Sequence, residues 1–315
     1  MPLKRNLLAQ AIIGPPKETF MRRRFATLDV FTDRRFAGNP LAVVLDVEAL
    51  DAAAMQAIAR EFNHPETVFV FAPADPAHRA RVRIFTPARE LPFAGHPTVG
   101  TAVLIGLRDG SAAGAAILLE EGIGPVRCTF EAGSGDRGSV RFAIPQLPAE
   151  VGAVADRATI AAALGLTSAD IGFGAFTPAR WSAGLPFTFV PMTSLGAVAS
   201  CRPDLGKFDA AFGTAGACYV FCKETAEPGH GFHARMFAPG MGVPEDPATG
   251  SAAAAFAGVL APHLGNGTHP IVIEQGYEMG RPSLIGLTVV VEAGTLVSAS
   301  IAGKAVVVTE GTIEA

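Results

Sequence analysis

Residues 83–102 read RIFTPARELPFAGHPTVGTA, and residues 235–252 read RMFAPGMGVPEDPATGSA. The Arg-x-Phe-x-Pro parts match at an offset of 152 residues (83 to 235), and the Pro-x-x-Gly-[Thr/Ser]-Ala parts match at 150 (97 to 247). In this alignment His96 falls opposite Asp246. Each copy predicts a strand, a loop and an Ala-rich helix with proline in its first turn, where the missing N–H costs nothing. The sequence therefore predicts two structurally equivalent halves, each presenting a helix N-terminus.

The two predicted helices, from about Pro97 to Leu107 and from Ala248 to Leu260, carry almost no charge. Helices that are apolar on every side must be enclosed, and strand-like segments surround both of them. We therefore predict an α+β fold with two pseudo-symmetric domains. Each is a curled, mainly antiparallel, barrel-like sheet around a central apolar helix, and the functional cleft is expected between the domains.

The predicted domains are residues 21–147 and residues 148–315, with residues 146–152 as the linker and an exchange of terminal strands between the halves left open. Residues 1–20 are predicted to be an N-terminal extension, either disordered or the product of a start upstream of Met21.

Composition excludes several classes of partner. The 315 residues are 49% hydrophobic and 17% charged, with a formal net charge of −4 and no long basic run, so nucleic acid and anionic membranes are not expected partners. No apolar run approaches the roughly 18 residues of a membrane span. Four cysteines without zinc-type spacing indicate buried apolar fillers in a reducing compartment, and hence a cytoplasmic location: Cys128, Cys201, Cys218 and Cys222.

Other patterns favour neither a metal nor a cofactor. His230-x-x-His233 lacks a third ligand nearby in sequence. Gly122-Ile-Gly124 lacks the third glycine and the following helix of a dinucleotide site. Ser182-Ala-Gly184 lacks the strand-to-helix elbow of a hydrolase nucleophile.

Five short motifs, in order, carry a resemblance to a known family. They are DVFTD with FAGNPLAV (29–33 and 36–43), PETVFV (65–70), GHPT (95–98), EDPATGSA (245–252) and QGYEMGRPS (275–283). From about Phe25 to Val308 the chain resembles the phenazine-biosynthesis PhzF-like isomerases. The resemblance implies the diaminopimelate-epimerase-like fold, a proton shift that needs no cofactor, and a homodimer.

The resemblance also implies the site residues. Glu66 matches the family's proton-shuttling glutamate, and a carboxyl at a strand end beside apolar residues would have its pKa raised by burial. His96 matches the histidine that binds and polarises the substrate. Near a helix N-terminus it is expected to be neutral, donating one hydrogen bond to a developing oxyanion and accepting another. Asp246 is its expected counterpart in the second half.

Two helix starts are expected to bind the carboxylate of a small substrate. The groups expected there are Ser251 and the backbone N–H groups around Gly95 and Gly250.

The missing thiols decide between chemistries. Proline racemases and diaminopimelate epimerase share the implied fold but place a cysteine in each repeat, and neither repeat has one here. We therefore predict a cofactor-independent isomerase that shifts a proton on a small unsaturated carboxylate, with Glu66 as the general acid and base. A metabolite-binding protein without turnover is the alternative, and a racemase using a displaced cysteine is a less favoured one.

Overall fold

The computed structural model describes residues 21–315; the predicted extension, residues 1–20, lies outside this range. The strands are β1 (Arg22–Val30), β2 (Asn39–Val44), β3 (Glu66–Phe71), β4 (Ala80–Phe85), β5 (Glu90–Leu91), β6 (Ala116–Glu121), β7 (Gly124–Ser134), β8 (Arg137–Ala143), β9 (Ala149–Glu150), β10 (Ala179–Ser182), β11 (Pro186–Pro191), β12 (Cys218–Cys222), β13 (Phe232–Ala238), β14 (Val243–Asp246), β15 (Gly267–Gln275), β16 (Ser283–Glu292) and β17 (Thr295–Glu314). The α-helices are α1 (Ala52–Phe62), α2 (Gly95–Asp109), α3 (Arg157–Leu164), α4 (Leu195–Ser200), α5 (Leu205–Phe212) and α6 (Gly250–Leu260). Over residues 21–315, no helix is long and apolar enough to cross a membrane.

The first half is a closed barrel around helix α2. Its strands pair in the ring β1–β2–β3–β4–β6–β7–β8–β17, and β17 returns to pair with β1. Helix α2 packs against β1, β2, β7, β8 and β17, and twelve of its fifteen residues are buried. The apolar sequence of α2 is therefore explained by a sheet that surrounds it on all sides.

The second half repeats this arrangement around helix α6. Its strands pair in the order β9–β10–β11–β12–β13–β15–β16–β17. Ten of the eleven residues of α6 are buried, and the helix packs against β10, β11, β16 and β17. The predicted α+β fold with curled sheets around two apolar helices is confirmed. The domain boundary stays a prediction, and the short strand β9 lies inside the predicted linker.

Strand β17 belongs to both sheets. Its first part pairs with β16, whereas Ser300–Val306 pairs with β8 and Ala305–Glu314 pairs with β1. The same order of pairings occurs in both halves, including parallel pairs at β2–β3 and β11–β12 and at β4–β6 and β13–β15. The sequence repeat is thus one visible part of a duplicated topology.

The structure corrects the alignment of the second part of the repeat. Helices α2 and α6 begin at Gly95 and Gly250, an offset of 155 residues, and the strands that follow, β6 and β15, match at 154 (Glu120 to Glu274). The predicted offset of 150 is therefore wrong. Pro97 does lie in the first turn of α2, but Pro247 precedes α6 by three residues. His96 is consequently equivalent to Ser251, not to Asp246.

The two central helices begin against each other. A Cβ added to Gly95 would lie 2.9 Å from Gly250 Cα, and one added to Gly250 would lie 3.1 Å from Gly95 Cα. Real Cβ atoms hardly ever approach this closely, so any side chain at either position would push the helix starts apart. Glycine at both positions therefore sets the distance between the halves.

In each half one glutamate clasps a loop, accepting two backbone hydrogen bonds and contacting a histidine. Glu274 accepts hydrogen bonds from the backbone N–H groups of Ala226 and Glu227, both at 2.8 Å, and contacts His230 Nδ1 at 2.7 Å. In the first half Glu120 makes the same contacts, to backbone N–H groups at 2.9 and 2.8 Å and to an imidazole at 2.9 Å; the partners are Ala74, Asp75 and His78. The repeat therefore extends upstream as Ala-[Asp/Glu]-Pro-[Ala/Gly]-His, at residues 74–78 and 226–230.

Replacing Glu274, the clasp of the second half, should destabilise the protein more than replacing Glu120, the clasp of the first half. The Glu274 side chain is fully buried, whereas that of Glu120 is 14% exposed. Because Glu274→Ala leaves two N–H groups and two histidines without their acceptor, we expect a loss of about 3 kcal/mol in the free energy of unfolding. Urea denaturation should show a smaller loss for the matched variant Glu120→Ala. Equal losses would contradict the argument from burial.

Gly95→Ala should destabilise the protein by about 1–3 kcal/mol, because the added methyl group overlaps the start of α6. Gly196→Ala, within α4, is the matched control. Its Cβ would meet only Ser194 Oγ, at 3.7 Å, so we expect no loss or a gain of about 0.5–1 kcal/mol. Urea unfolding midpoints measure both, and an unchanged midpoint for Gly95→Ala would show that the helix starts separate freely.

Candidate active site

Glu66 and His96 meet at the mouth of the first barrel. Glu66 is the first residue of β3, and His96 is the second residue of α2. Glu66 Oε2 lies 3.3 Å from His96 Nε2, and the two side chains are 17% and 5% exposed. Within residues 21–315 neither atom has a hydrogen-bond partner by strict geometry. The pair is therefore a close contact between two titratable groups that are both largely withdrawn from water.

Asp246 belongs to the second half but is held by both halves. Asn39 Nδ2, at the start of β2, donates to Asp246 Oδ1 at 2.8 Å and to the Ala248 carbonyl at 2.9 Å. Thr249 Oγ1 donates to Asp246 Oδ2 at 2.6 Å. Gln275 Nε2 donates to the Asp246 carbonyl at 2.7 Å and contacts Thr249 Oγ1 at 2.9 Å. This network fixes the carboxylate where the two halves meet.

Burial shifts the pKa values of Glu66 and His96 in opposite directions. Desolvation, together with the nearby charge of Asp246, raises the pKa of Glu66 to about 8. Desolvation lowers the pKa of His96 to about 3, with His64 adding to the effect and a hydrogen bond to the Pro40 backbone opposing it. At neutral pH the pair therefore holds a mostly protonated carboxyl beside a neutral imidazole.

The contact with Pro40 also selects the tautomer of His96. Proline has no N–H, so the imidazole must donate to its carbonyl, and the unpartnered nitrogen is Nε2. In the neutral ring Nε2 is then an acceptor. This acceptor faces Glu66 Oε2 across 3.3 Å. Donation from His96 to an oxyanion stays a prediction.

Asp246 has a pKa that burial raises to about 6. Its hydrogen bonds from Thr249 and Asn39 oppose this rise, and the charge of Glu245 adds to it. At neutral pH Asp246 is therefore mostly ionised, and it is the principal negative charge beside Glu66.

Neither of the two helix starts is capped by a side chain. Ala94 and Thr249 are the N-cap residues of α2 and α6, and neither makes a side-chain capping hydrogen bond. The first N–H groups at Gly95 and Gly250 therefore have no acceptor from their own caps. Ser251 follows Gly250 and is partly exposed. Two adjacent positive helix ends of this kind favour an anion between them.

The structure thus brings together all six predicted site residues, although their pairing across the repeat differs from the prediction. Sequence reasoning missed the parts played by Asn39 and Gln275. Both residues lie in the quoted motifs. Their hydrogen bonds to Asp246 join residues 207 and 29 positions apart in the chain, and no local sequence pattern predicts such bonds. The position of Glu66 has no polar equivalent, because strand pairing places Ala217 there in the second half.

His233 and the four cysteines have other roles. His233 Nδ1 and Nε2 contact Glu274 and Glu278 at 2.8 and 2.9 Å, so both ring nitrogens are occupied by carboxylates. No group of three potential ligands is arranged to hold a metal ion in the part of the chain that the structure describes. All four cysteines are buried and free, and burial raises their thiol pKa values. This disfavours a thiol-based racemase.

Comparisons with known proteins identify the family of the chain. The family described as "Phenazine biosynthesis-like protein" matches residues 28–311. An uncharacterised isomerase of Mesorhizobium japonicum is 48% identical over 92% of this chain and 98% of its own length. Trans-2,3-dihydro-3-hydroxyanthranilate isomerase of Pseudomonas fluorescens is 35% identical over the same shares of the two chains.

A solved structure extends the agreement to the fold. The PhzF-family phenazine biosynthesis protein of Bacillus anthracis superposes with a TM-score of 0.83 at 25% identity, covering 93% of this chain and 99% of that one. The family match, the two relatives and the superposition each span nearly the whole chain. The chain therefore belongs to the phenazine-biosynthesis-like PhzF family of isomerases.

Proposed function

We propose that this isomerase shifts a proton along a small unsaturated carboxylate without a cofactor, with Glu66 as the general acid and base. The observation that carries the proposal is the 3.3 Å contact between Glu66 and His96 beside two uncapped helix starts. A carboxyl whose pKa is raised to about 8 can both accept and return a proton near neutral pH.

In the proposed step the ionised Glu66 takes a proton from a carbon next to a double bond. The C–H electron pair forms a new double bond, the old double bond moves, and Glu66 returns the proton to the far carbon on the same face. Bonds and charge balance without an oxidant or reductant. His96 Nε2 accepts a hydrogen bond from Glu66 or from the substrate, and the starts of α2 and α6 bind the substrate carboxylate.

The proposed substrate class follows from the site and one relative. The site presents two uncapped helix starts, with Ser251 and the Gly95 and Gly250 N–H groups as the proposed donors to an anion. The relative from Pseudomonas fluorescens is named for a cyclic, hydroxylated, unsaturated amino acid. A compound of that kind is the proposed substrate. The homodimer and the cytoplasmic location stay predictions.

Glu66→Gln should abolish proton transfer but keep ligand binding. The amide has nearly the same shape and cannot carry the proton, so we expect exchange of substrate hydrogen with D₂O to fall at least about 100-fold. The probe is trans-2,3-dihydro-3-hydroxyanthranilate, and NMR measures the exchange of its hydrogen. We expect the dissociation constant of this probe to differ less than about tenfold between Glu66→Gln and the wild type.

Glu121→Gln is the matched control. Glu121 is also buried, with its pKa raised to about 8 by desolvation against the opposing hydrogen bond from Thr98. Strand pairing places Gln275 at its position in the second half, so an amide fits there. Exchange should survive this change. Exchange retained in Glu66→Gln would remove Glu66 from the proposed role, and binding without any exchange by the wild type would favour a binding protein.

The pH dependence should report the same carboxyl. Because Glu66 must be ionised to accept a proton, kcat/KM should rise with pH through an apparent pKa of about 8. Asp246→Asn removes a negative charge that raises this pKa, so the rise should move to lower pH even if the rate falls. Glu121→Gln should leave the rise in place. A rise that Asp246→Asn leaves at its original pH would contradict the assignment.

A further inference from the structure

Tyr219 is a fully buried tyrosine in the core of the second half. Its ring centroid lies 5.4 Å from that of Phe189 and 5.9 Å from that of Phe256, so the ring itself is well packed. Within the described range 21–315 its hydroxyl has no hydrogen-bond partner. A buried hydroxyl without a partner is unfavourable, and phenylalanine would keep the packing without that cost. Packing alone therefore does not account for a tyrosine here.

Strand pairing places Tyr219 on the same face as Asp246. Tyr219 on β12 pairs with Met236 on β13, and Met236 pairs with Asp246 on β14. Paired residues of adjacent strands point to the same side of a sheet. Tyr219 and Asp246 are two strands apart, so their backbones are separated by about 10 Å. The side chain of Tyr219 extends across part of that distance.

The first half has only aliphatic residues at the equivalent positions. There the paired residues are Val68, Ile84 and Leu91 on β3, β4 and β5. The second half thus carries polar groups at two of three positions where the first half has none. This difference follows the asymmetry of the site and not the needs of the shared fold.

Other unpartnered polar atoms belong to the candidate active site and to the Asp246 network. Asn39 Oδ1, Glu66 Oε2 and His96 Nε2 are buried without partners among the described residues, and Asn39 donates directly to Asp246. Burial and the charge of Asp246 raise the pKa of Tyr219 above its ordinary value, so the phenol stays protonated and can donate. Asn39 and Tyr219 thereby add one acceptor and one donor beyond the Glu66–His96 pair.

We propose that Tyr219 determines substrate specificity by donating a hydrogen bond to a hydroxyl oxygen of the substrate, opposite the substrate carboxylate. The proposal rests on the proposed function. It identifies the protein group that would recognise the hydroxyl of the substrate class proposed above.

Two stable aromatic probes test the proposal by calorimetry, 3-hydroxyanthranilate and anthranilate, which differ only in the hydroxyl group. One neutral hydrogen bond should make the wild type bind the hydroxylated probe about fivefold to tenfold more tightly. Tyr219→Phe should lose that preference while its melting temperature stays equal or rises. Tyr277→Phe is the matched control, because Tyr277 is the other tyrosine of the chain and its ring packs against His233.

The outcomes separate this proposal from the proposed function. Loss of the preference in Tyr219→Phe alone supports the assignment. A preference that survives in Tyr219→Phe, or equal binding of the two probes by the wild type, overturns it while leaving the carboxylate site and proton exchange intact. If neither probe binds the wild type, the carboxylate site of the proposed function fails, and the role of Tyr219 fails with it.

Discussion

The contact between Gly95 and Gly250 is the constraint on which the rest of the structure depends. Two helix N-termini meet with no side chain between them, so their positive ends face the same small volume. Such an arrangement is unfavourable unless negative charge lies nearby, and Asp246 supplies one such charge from within the protein. Each barrel holds its own helix in place, so the helix starts cannot separate without moving a whole half. The positions of the two helix starts are therefore set by the scaffold itself.

The duplicated scaffold separates what is structural from what is specific to the site. Elements that hold loops are repeated in both halves, including the Glu120 and Glu274 clasps and the ion pairs Arg83–Glu90 and Arg235–Glu245. The site groups are not repeated. Equivalent positions pair Glu66 with Ala217, His96 with Ser251, Leu91 with Asp246 and Val68 with Tyr219. A two-fold scaffold thus encloses a one-sided site, which suits one proton carrier on one face better than a symmetric pair of thiols.

The burial of the two helices could be predicted from the sequence, because it follows from the nearly uncharged composition of each helical segment. Helices α2 and α6 lie within two residues of the expected bounds. The alignment within the repeat could not be predicted, since Pro97 and Pro247 match by coincidence. Only the strand pairing and the helix starts reveal that the true offset is five residues larger than the predicted one. The Ala-[Asp/Glu]-Pro-[Ala/Gly]-His repeat was visible but has meaning only once Glu120 and Glu274 are seen across the sheet. Likewise Tyr219 reads as one more apolar residue in a buried strand until its hydroxyl is seen without a partner.

The electrostatics of the site explain why a neutral imidazole is useful there. A cationic His96 beside Glu66 would hold the carboxyl ionised and lower its pKa, which would make the proton hard to return to carbon. With His96 neutral and Asp246 ionised, both neighbours favour protonated Glu66, and the pKa lies near 8. The cost of ionising Glu66 near neutral pH is then about one pKa unit, or about 1.4 kcal/mol. In the proposed reaction that small cost is the condition for one group to act first as base and then as acid.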